Sequence, residues 1–467
     1  MRIRGISLRI EITFATTLFF LVWGGAVSGT KFKIEQIEVI SKGKLRPTKI
    51  LEDKNREQVE TSQYGGWLNR NLGGTGFFRT QKDGGRWWLV DPEGYLFISM
   101  GLNSFKANNS ARSVSIMQAK FGHKAGWLSH EMKNYKSVGL NTLGCWSDWK
   151  QVRQSDTPIP YTRRWNFMST YAKKHVTQGR RQDYYAENGA LFVFDPEFEQ
   201  FCDEHAKQLV ETREDPYLLG HFSDNELPFY KNKRYGGMLA RFLELDKDDP
   251  RYIHTYQWLV TRKGTQNTGA ITDQDETNFQ QYVVATYYRI VSQAIKKYDP
   301  NHLFLGSRFH GGAKRSEAVV RGASRYVDVF SYNYYGAWTP SWKNMDLWVL
   351  HGKKPFLITE FYVKGGDTNM KNDEGAGWIV PTQVDRAAFY QHWAISLLSH
   401  PGAVGWHWHR YQDHDDPKRD SNKGIVNRNF EWYAPMEEAI SNISRQIYPL
   451  ALFLQTKRQN QLIKCMD

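Results

Sequence analysis

Residues 217–226, YLLGHFSDNE, hold the pattern that decides the fold: a short apolar run that ends in a cluster of polar side chains. Residues 356–363, FLITEFYV, repeat this pattern around a single glutamate. Strands that are apolar on both faces are typical of a parallel sheet covered by helices. We therefore predict two buried parallel strands that deliver Glu226 and Glu360 to the same edge of one sheet.

Outward from these runs, apolar strands alternate with amphipathic helices. The predicted strands span residues 96–103, 140–146, 159–167, 217–225, 303–309, 327–335, 356–363 and 403–411. The clearest helix spans residues 275–298, with one apolar face and an end at Asp299-Pro300. Other helices are predicted from Asp195-Pro196 and over 316–324, 341–350, 382–399 and 435–455.

Eight such repeats predict an α/β fold, a (β/α)8 TIM barrel with an N-terminal extension and long βα loops. The longest of these loops is an insertion at about 230–272. An open doubly wound sheet is the alternative, and it would need a glycine-rich phosphate loop after the first strand. Residues 101–104, GLNS, are not such a loop.

The chain divides into a predicted signal peptide over 1–28, an N-terminal extension over 29–75 and a catalytic barrel over 76–467. The first segment has three arginines, an apolar stretch over 12–22 and small residues up to Ser28. We therefore expect a secreted or periplasmic protein with no membrane contact beyond this segment. The alternative is an uncleaved N-terminal anchor.

Composition narrows the functional classes. The formal charge of +13 favours polyanionic partners, although it also serves solubility. We find no basic helix, zinc module or RNA-binding signature, so nucleic acid is not a predicted partner. An anionic polysaccharide, for example a sulfated one, fits the charge, and the 17 tryptophans could stack on sugar rings. Three cysteines without a CxxC or HExxH pair predict neither a disulfide framework nor a metal site.

The two strand-end glutamates suggest a chemistry. Catalytic residues of a barrel lie at the carboxyl ends of its strands, and strands four and seven face each other across the mouth. Glycoside hydrolysis needs one carboxyl group with a raised pKa as general acid and one that stays ionised. A separation of about 5 Å between them gives retention, and about 6.5–9.5 Å gives inversion. The alternative for either residue is a structural ion pair.

Five motifs carry a resemblance to a known family. They are 76-GFFRTQKDGGRWWLVDPEGYLFISMGLNS-104, 221-HFSDNEL-227, 303-LFLGSRFH-310, 328-DVFSYNYYG-336 and 356-FLITEFYVKG-365. Together they resemble the β-agarases of glycoside hydrolase family 50, and the Asn225-Glu226 pair with Glu360 resembles the clan A hydrolases. The extension over 29–75 is shorter than the N-terminal domain of those agarases.

The resemblance implies a retaining double displacement on β-galactosidic linkages of a marine galactan such as agar or porphyran. It implies Glu226 as general acid/base, Glu360 as nucleophile and no cofactor. Asn225 would bind the sugar 2-hydroxyl, and Tyr335, or else Tyr332 or Tyr334, would hold the nucleophile. The other predicted substrate-binding residues are Asn103, Trp146, Asp148, Arg308, His310, Asn333, Trp338 and Trp408.

Two of these residues have particular roles. A cation such as Arg308 beside Glu360 would keep that carboxylate ionised. Trp408 resembles the sugar platform on the eighth strand of clan A enzymes. The nearby polar cluster has no standard metal spacing, so we interpret it as a polar sugar-binding or ion-paired loop. Its members are His407, His409, Asp413, His414, Asp415 and Asp416.

Other functions stay open at this stage. A β-galactosidase, a mannanase or another clan A hydrolase would share the fold, because specificity depends on the loops. A catalytically inactive carbohydrate-binding barrel would keep the fold without the reaction. A nucleic-acid binder is suggested by charge alone.

Overall fold

The computed structural model describes residues 32–52, 57–175, 189–231, 236–266, 269 and 271–464. The predicted signal peptide and Cys465 lie outside these residues. Among the helices of the described residues, none combines the length and apolarity needed to cross a bilayer.

The chain before the central sheet forms two small antiparallel sheets. The first is a hairpin of β1 (Ile34–Ser41) and β2 (Lys44–Leu51). The second has the strand order β3-β6-β5-β4. Its strands are β3 (Trp67–Asn71), β4 (Arg79–Asp83), β5 (Arg86–Val90) and β6 (Tyr95–Phe97). The predicted extension over 29–75 therefore contains regular strands that its polar sequence did not reveal.

The central sheet has eight parallel strands, as predicted. They are β7 (Ser99–Leu102), β8 (Thr142–Leu143), β9 (Tyr161–Arg164), β10 (Leu218–Phe222), β11 (Leu303–Phe304), β12 (Phe330–Asn333), β13 (Phe356–Glu360) and β16 (Ala403–Trp408). Between the last two, β14 (Lys364–Gly365) and β15 (Ile379–Val380) form a separate pair.

The strand order shows that the sheet is curled. It runs β11-β10-β9-β8-β7-β16-β13-β12, so the first strand of the sheet in chain order pairs with the last. The two edge strands also approach each other, because Phe309 N donates to Ser331 O at 2.8 Å and Asn333 N donates to Phe309 O at 2.9 Å. This arrangement is consistent with a barrel domain.

Helices cover the outer face of the sheet. They are α1 (Ala111–Phe121), α2 (Lys124–Ser137), α3 (Trp149–Arg153), α4 (Phe167–His175), α5 (Phe198–Ala206), α6 (Met238–Leu243), α7 (Pro250–Lys263), α8 (Asp273–Tyr298), α9 (Glu317–Ala323), α10 (Trp342–Gly352), α11 (Gln383–Leu398), α12 (Ala434–Ser444) and α13 (Ile447–Lys464). Short 3-10 turns span Lys207–Thr212, Ala313–Arg315 and Pro417–Arg419.

Two helical predictions need correction. The insertion at 230–272 contains α6 and α7 rather than loop alone. The helix predicted over 435–455 is divided into α12 and α13, since α12 ends at Ser444 with Arg445 as its cap. The long helix α8 begins two residues before its predicted start, where Thr272 and Asp275 form a reciprocal capping box.

Candidate active site

Glu226 lies just beyond β10, where the chain turns sharply. Its φ of 58° is in the left-handed region, and its N–H donates to Ser307 O at 3.0 Å. The turn is anchored by the fully buried Asp224, which accepts from Met168 N at 2.9 Å and from Tyr287 OH at 2.7 Å. Left-handed backbone at a non-glycine residue needs this kind of support, so the turn fixes the direction of the Glu226 side chain.

The carboxyl group of Glu226 has polar neighbours on one side. Asn333 Nδ2 donates to its Oε1 at 2.7 Å, and His310 Nδ1 lies 3.7 Å from the same oxygen. Burial raises the pKa of Glu226, and the negative charge of Glu360 raises it further, against the opposing effects of His310 and Asn333. A raised pKa keeps a carboxyl group protonated for use as a general acid.

Glu360, the last residue of β13, has the opposite environment. Arg308 Nη2 lies 2.8 Å from its Oε1, and Tyr335 OH donates to its Oε2 at 2.5 Å. Burial raises the pKa of Glu360, but the charges of Arg308 and His409 and the Tyr335 hydrogen bond outweigh burial and lower it. Glu360 is therefore held as a carboxylate.

A chain of hydrogen bonds joins the two glutamates. Arg308 Nη1 donates to Asn225 Oδ1 at 2.9 Å, and Asn333 Nδ2 reaches both Asn225 Oδ1, at 3.3 Å, and Glu226. Arg308 also contacts Glu360, so the connection is continuous from one carboxyl group to the other. The structure thus gathers the predicted residues Asn225, Glu226, Arg308, His310, Asn333, Tyr335 and Glu360 into one site.

The predicted subsite residues Trp146 and Asp148 line an adjoining cavity of about 720 Å³. The Arg308 guanidinium lies over the Trp146 ring, 4.4 Å from its centroid, and so connects the cavity to Glu360. Asp148 pairs with Lys124 at 2.6 Å. His409, which sequence reasoning grouped with a polar loop, lines the same cavity and influences the charge of Glu360.

Two of the predicted sugar-binding tryptophans, Trp408 and Trp338, are buried in the structure. Trp408 is fully buried against Phe361, Phe389 and Tyr390, and its indole N–H donates to Lys423 O at 2.9 Å. Trp338 is buried too, and its indole N–H donates to Thr48 Oγ1 at 3.0 Å. Neither ring presents a face to a sugar, because each is covered by other aromatic rings or by the hairpin β1–β2.

Asn103 is also placed differently from the prediction. Its side chain is fully buried, and its Nδ2 donates to Thr359 O at 2.7 Å. It therefore supports β13 next to Glu360. Thr359 itself, which the sequence did not single out, donates to Asn333 Oδ1 at 2.8 Å and so orients the amide that binds Glu226.

Within the described residues one group has the donor types of a metal site: His221, Asp299 and His302. Their hydrogen bonds account for these atoms, since His221 Nε2 contacts Asp299 Oδ2 at 2.7 Å and His302 Nδ1 contacts the same oxygen at 2.8 Å. The remaining ring nitrogens face Trp165 Nε1 at 3.0 Å and Asp215 O at 2.9 Å. The group is a buried hydrogen-bonded cluster beneath the sheet.

Fold and site together define a class of protein. It is an α/β protein with a curled, eight-stranded parallel sheet and, at the strand ends, two glutamates whose pKa values are shifted in opposite directions. Paired carboxyl groups of this kind are what glycoside hydrolysis uses.

Two curated proteins are similar in sequence to the chain. It is 26% identical to Beta-agarase B of Vibrio sp. (strain JT0107), over 86% of this chain and 53% of that protein. It is 24% identical to Beta-agarase A of the same organism, over 72% of this chain and 42% of that protein. The chain thus spans about half the length of the curated relatives that it matches. No protein-family model matches it.

Solved structures extend the comparison. The crystal structure of BpGH50 superimposes with a TM-score of 0.79 at 28% identity, over 91% of this chain and 96% of that chain. An exo-beta-agarase shares the fold with a TM-score of 0.70 at 22% identity, over 85% of this chain and 69% of that chain. The predicted resemblance to β-agarases is confirmed by these relatives.

Proposed function

We propose that this protein is a glycoside hydrolase that cleaves β-galactosidic linkages in an agarose-type galactan. The observation that carries the proposal is the pair of glutamates linked through Asn333, Asn225 and Arg308. In this pair the pKa of Glu226 is raised and that of Glu360 is lowered. The named relatives are beta-agarases, which favours agarose over other β-linked galactans. The substrate partner would be a polysaccharide or an oligosaccharide.

The proposed mechanism is a double displacement with retention. A Glu360 oxygen attacks the anomeric carbon while the glycosidic bond breaks, and the Glu226 proton passes to the leaving oxygen. Glu226 then takes a proton from water, whose oxygen displaces Glu360 and restores both carboxyl groups. In the alternative single displacement, a carboxylate activates water directly and the anomeric configuration inverts.

Neighbouring residues have proposed supporting roles. Tyr335 and Arg308 stabilise the charge of Glu360 before the attack, and Asn225, fixed by Arg308, binds the sugar 2-hydroxyl. Trp146, half-buried at the cavity wall, is the aromatic surface that we propose for sugar stacking in place of Trp408.

We further propose that the curled sheet is a closed (β/α)8 barrel and that the protein is a clan A hydrolase. Support for closure comes from the parallel bridge between Phe309 and Tyr332, which lies between the two edge strands. Support for the clan comes from the position of the glutamates after the fourth and seventh strands of the sheet. We also propose that the N-terminal segment directs export, so that the mature protein is secreted or periplasmic.

The test is reducing-end release from agarose, porphyran, carrageenan, galactomannan and an aryl β-galactoside. We expect release from agarose or porphyran, and loss of at least a thousandfold in kcat for Glu226→Gln and for Glu360→Gln. Glu317→Gln, on the surface of α9, is the matched control and should keep wild-type turnover.

Other outcomes would assign other functions. Release from the aryl β-galactoside or from galactomannan alone would indicate a different hydrolase. Binding of agarose without any release would indicate a carbohydrate-binding protein. Proton NMR of the first product formed would separate retention from inversion.

A further inference from the structure

The cavity beside the glutamates is lined by charged groups that the proposed reaction does not use. It lies where the loops after β7, β8 and β16 meet. Trp146 connects it to Glu360, because the Trp146 ring contacts the Arg308 guanidinium that pairs with Glu360. A sugar bound across Glu226 and Glu360 would therefore extend into this cavity with its next residue. The charges of the cavity then act on the substituents of that residue.

The acidic residues of the cavity are already neutralised. Each has a cationic partner: Asp148 with Lys124 at 2.6 Å, Glu374 with Lys423 at 3.0 Å, Asp415 with Arg112 at 3.1 Å and Asp416 with Arg419 at 4.0 Å. An incoming cation would find no unpaired carboxylate among them. The cavity therefore does not favour a positively charged ligand.

Arg410 is the one buried cation of the described cavity lining that lies outside this balance. It lines the cavity, it is only 5% exposed, and it forms no ion pair with any residue that the structure describes. Its Nε has no hydrogen-bond partner there, and neither does Nδ1 of the adjacent His409. A buried guanidinium without a paired anion is costly. The carboxylates of Asp413 and Glu374 act on Arg410 only from beyond ion-pair distance, so its positive charge is partly offset.

A neutral histidine lies beside Arg410. Arg410 Nη1 lies against the ring of His414, 2.9 Å from Nδ1. Burial lowers the pKa of His414 to about 2, and the charges of Arg410, Lys423 and Arg419 contribute to that shift. The histidine stays neutral beside Arg410, and it can accept or donate a hydrogen bond without adding repulsion.

We propose that this cavity is a subsite for an anionic substituent of the galactan, a sulfate ester or a carboxylate, bound by the Arg410 guanidinium. Arginine is the side chain best suited to an oxyanion because its planar donors match two oxygens at once. The inference rests on the proposed function, since it assumes a sugar chain that passes from the glutamates into the cavity.

The experiment measures binding to the Glu360→Gln protein, which should not turn over its ligand. Three oligogalactans of equal length are titrated calorimetrically at constant ionic strength: a neutral one, one with a sulfate ester and one with a carboxylate. We expect at least one anionic ligand to bind ten times more tightly than the neutral one. Comparison of the sulfated ligand with the carboxylated ligand identifies which substituent is recognised.

Arg410→Met in the same background tests the residue. We expect it to abolish the preference for the anionic ligand. Lys106→Met is the matched control, because it removes one exposed positive charge from the rim of the same cavity. It should retain the preference, which separates a specific contact from the general charge of the surface.

Equal affinity for all three ligands in the Glu360→Gln protein would overturn the inference, even if Arg410→Met fails to fold. An unchanged preference in folded Arg410→Met protein would overturn it too. Cleavage of the neutral galactan by the wild type decides the proposed function separately. If the protein cleaves the neutral galactan but shows no preference for an anionic ligand, the proposed function stands and the subsite is refuted. If it shows the preference but cleaves no galactan, the anion site stands and the proposed function is refuted.

Discussion

The immediate neighbours of the two glutamates shift their pKa values in opposite directions. Burial and the charge of Glu360 raise the pKa of Glu226. The pKa of Glu360 is lowered, because the effects of Arg308, His409 and Tyr335 outweigh burial. Activity should require Glu360 ionised and Glu226 protonated. The acid limb of the pH–rate profile then reports Glu360 and the alkaline limb reports Glu226.

The Tyr335 hydroxyl is the contact most easily tested. Its hydrogen bond to Glu360 lowers the pKa of that carboxyl group, so Tyr335→Phe should raise it and move the acid limb to higher pH. We also expect kcat to fall about tenfold or more, as is usual for a lost hydrogen bond to a charged group. The measurement is kcat on an oligogalactan from pH 4 to 9.

Tyr332→Phe is the matched control for this substitution. The Tyr332 hydroxyl is buried and has no partner among the described residues, so its removal should leave both limbs in place. An acid limb that stays fixed in Tyr335→Phe, or that moves equally in Tyr332→Phe, would contradict the assigned role.

Sequence alone located the carboxyl pair because an acidic residue at the end of an apolar strand is chemically conspicuous. It could not show which side of the strand the tryptophans occupy, for a physical reason. Alternation along β16 separates Trp406 and Trp408 from His407 and His409, but it does not say which pair faces α11. The helix covers the tryptophans, and His409 reaches the site instead.

At the scale of elements, helix α11 shows how local sequence fixes a boundary. Thr382 caps the helix through Asp385 N, and the Asp385 carboxylate accepts from Thr382 N at 3.0 Å. Thr382→Ala should therefore lower the free energy of unfolding by about 1 kcal/mol. Urea denaturation measures the change, and Val384→Ala, at a side chain that is 64% exposed, is the control. Equal losses in the two variants would show that the cap contributes nothing.

The ends of strands were harder to predict than their existence. The apolar run 303–309 predicts seven strand residues, but β11 contains only Leu303–Phe304. Gly306 and Arg308 have φ values of 75° and 56°, which break the extended backbone. That break brings the Arg308 guanidinium to Glu360, and such a conformation depends on tertiary contacts that a periodicity does not encode.

At the scale of the whole molecule, buried histidines make stability depend on pH. Burial lowers the pKa of His221, His392, His400 and His409 to about 4 and that of His407 to about 3. The unfolded chain, with histidines near 6.5, binds these protons more readily than the folded chain does. The stability from neutral histidines is therefore complete above pH 6.5 and is lost as pH falls toward 4.

We expect the free energy of unfolding to fall by about 1 kcal/mol or more per pH unit between pH 7 and 5. Urea denaturation at fixed ionic strength measures this slope. His392→Asn removes one of the contributing groups and should reduce the slope. A free energy that stays constant or rises over this window would contradict the expected protonation states.

Glu226 and Glu360 form one electrostatically coupled pair, in which the pKa of Glu226 is raised and that of Glu360 is lowered. Carbon-13 NMR titration of the two carboxyl groups, assigned with Glu226→Gln and Glu360→Gln, tests this most directly. We expect Glu360 to titrate below 4.5 and Glu226 above it, with the pKa of Glu226 falling in the Glu360→Gln protein because a negative charge has been removed. A pKa of Glu226 at or below that of Glu360, or one that does not change in the Glu360→Gln protein, would contradict this coupling.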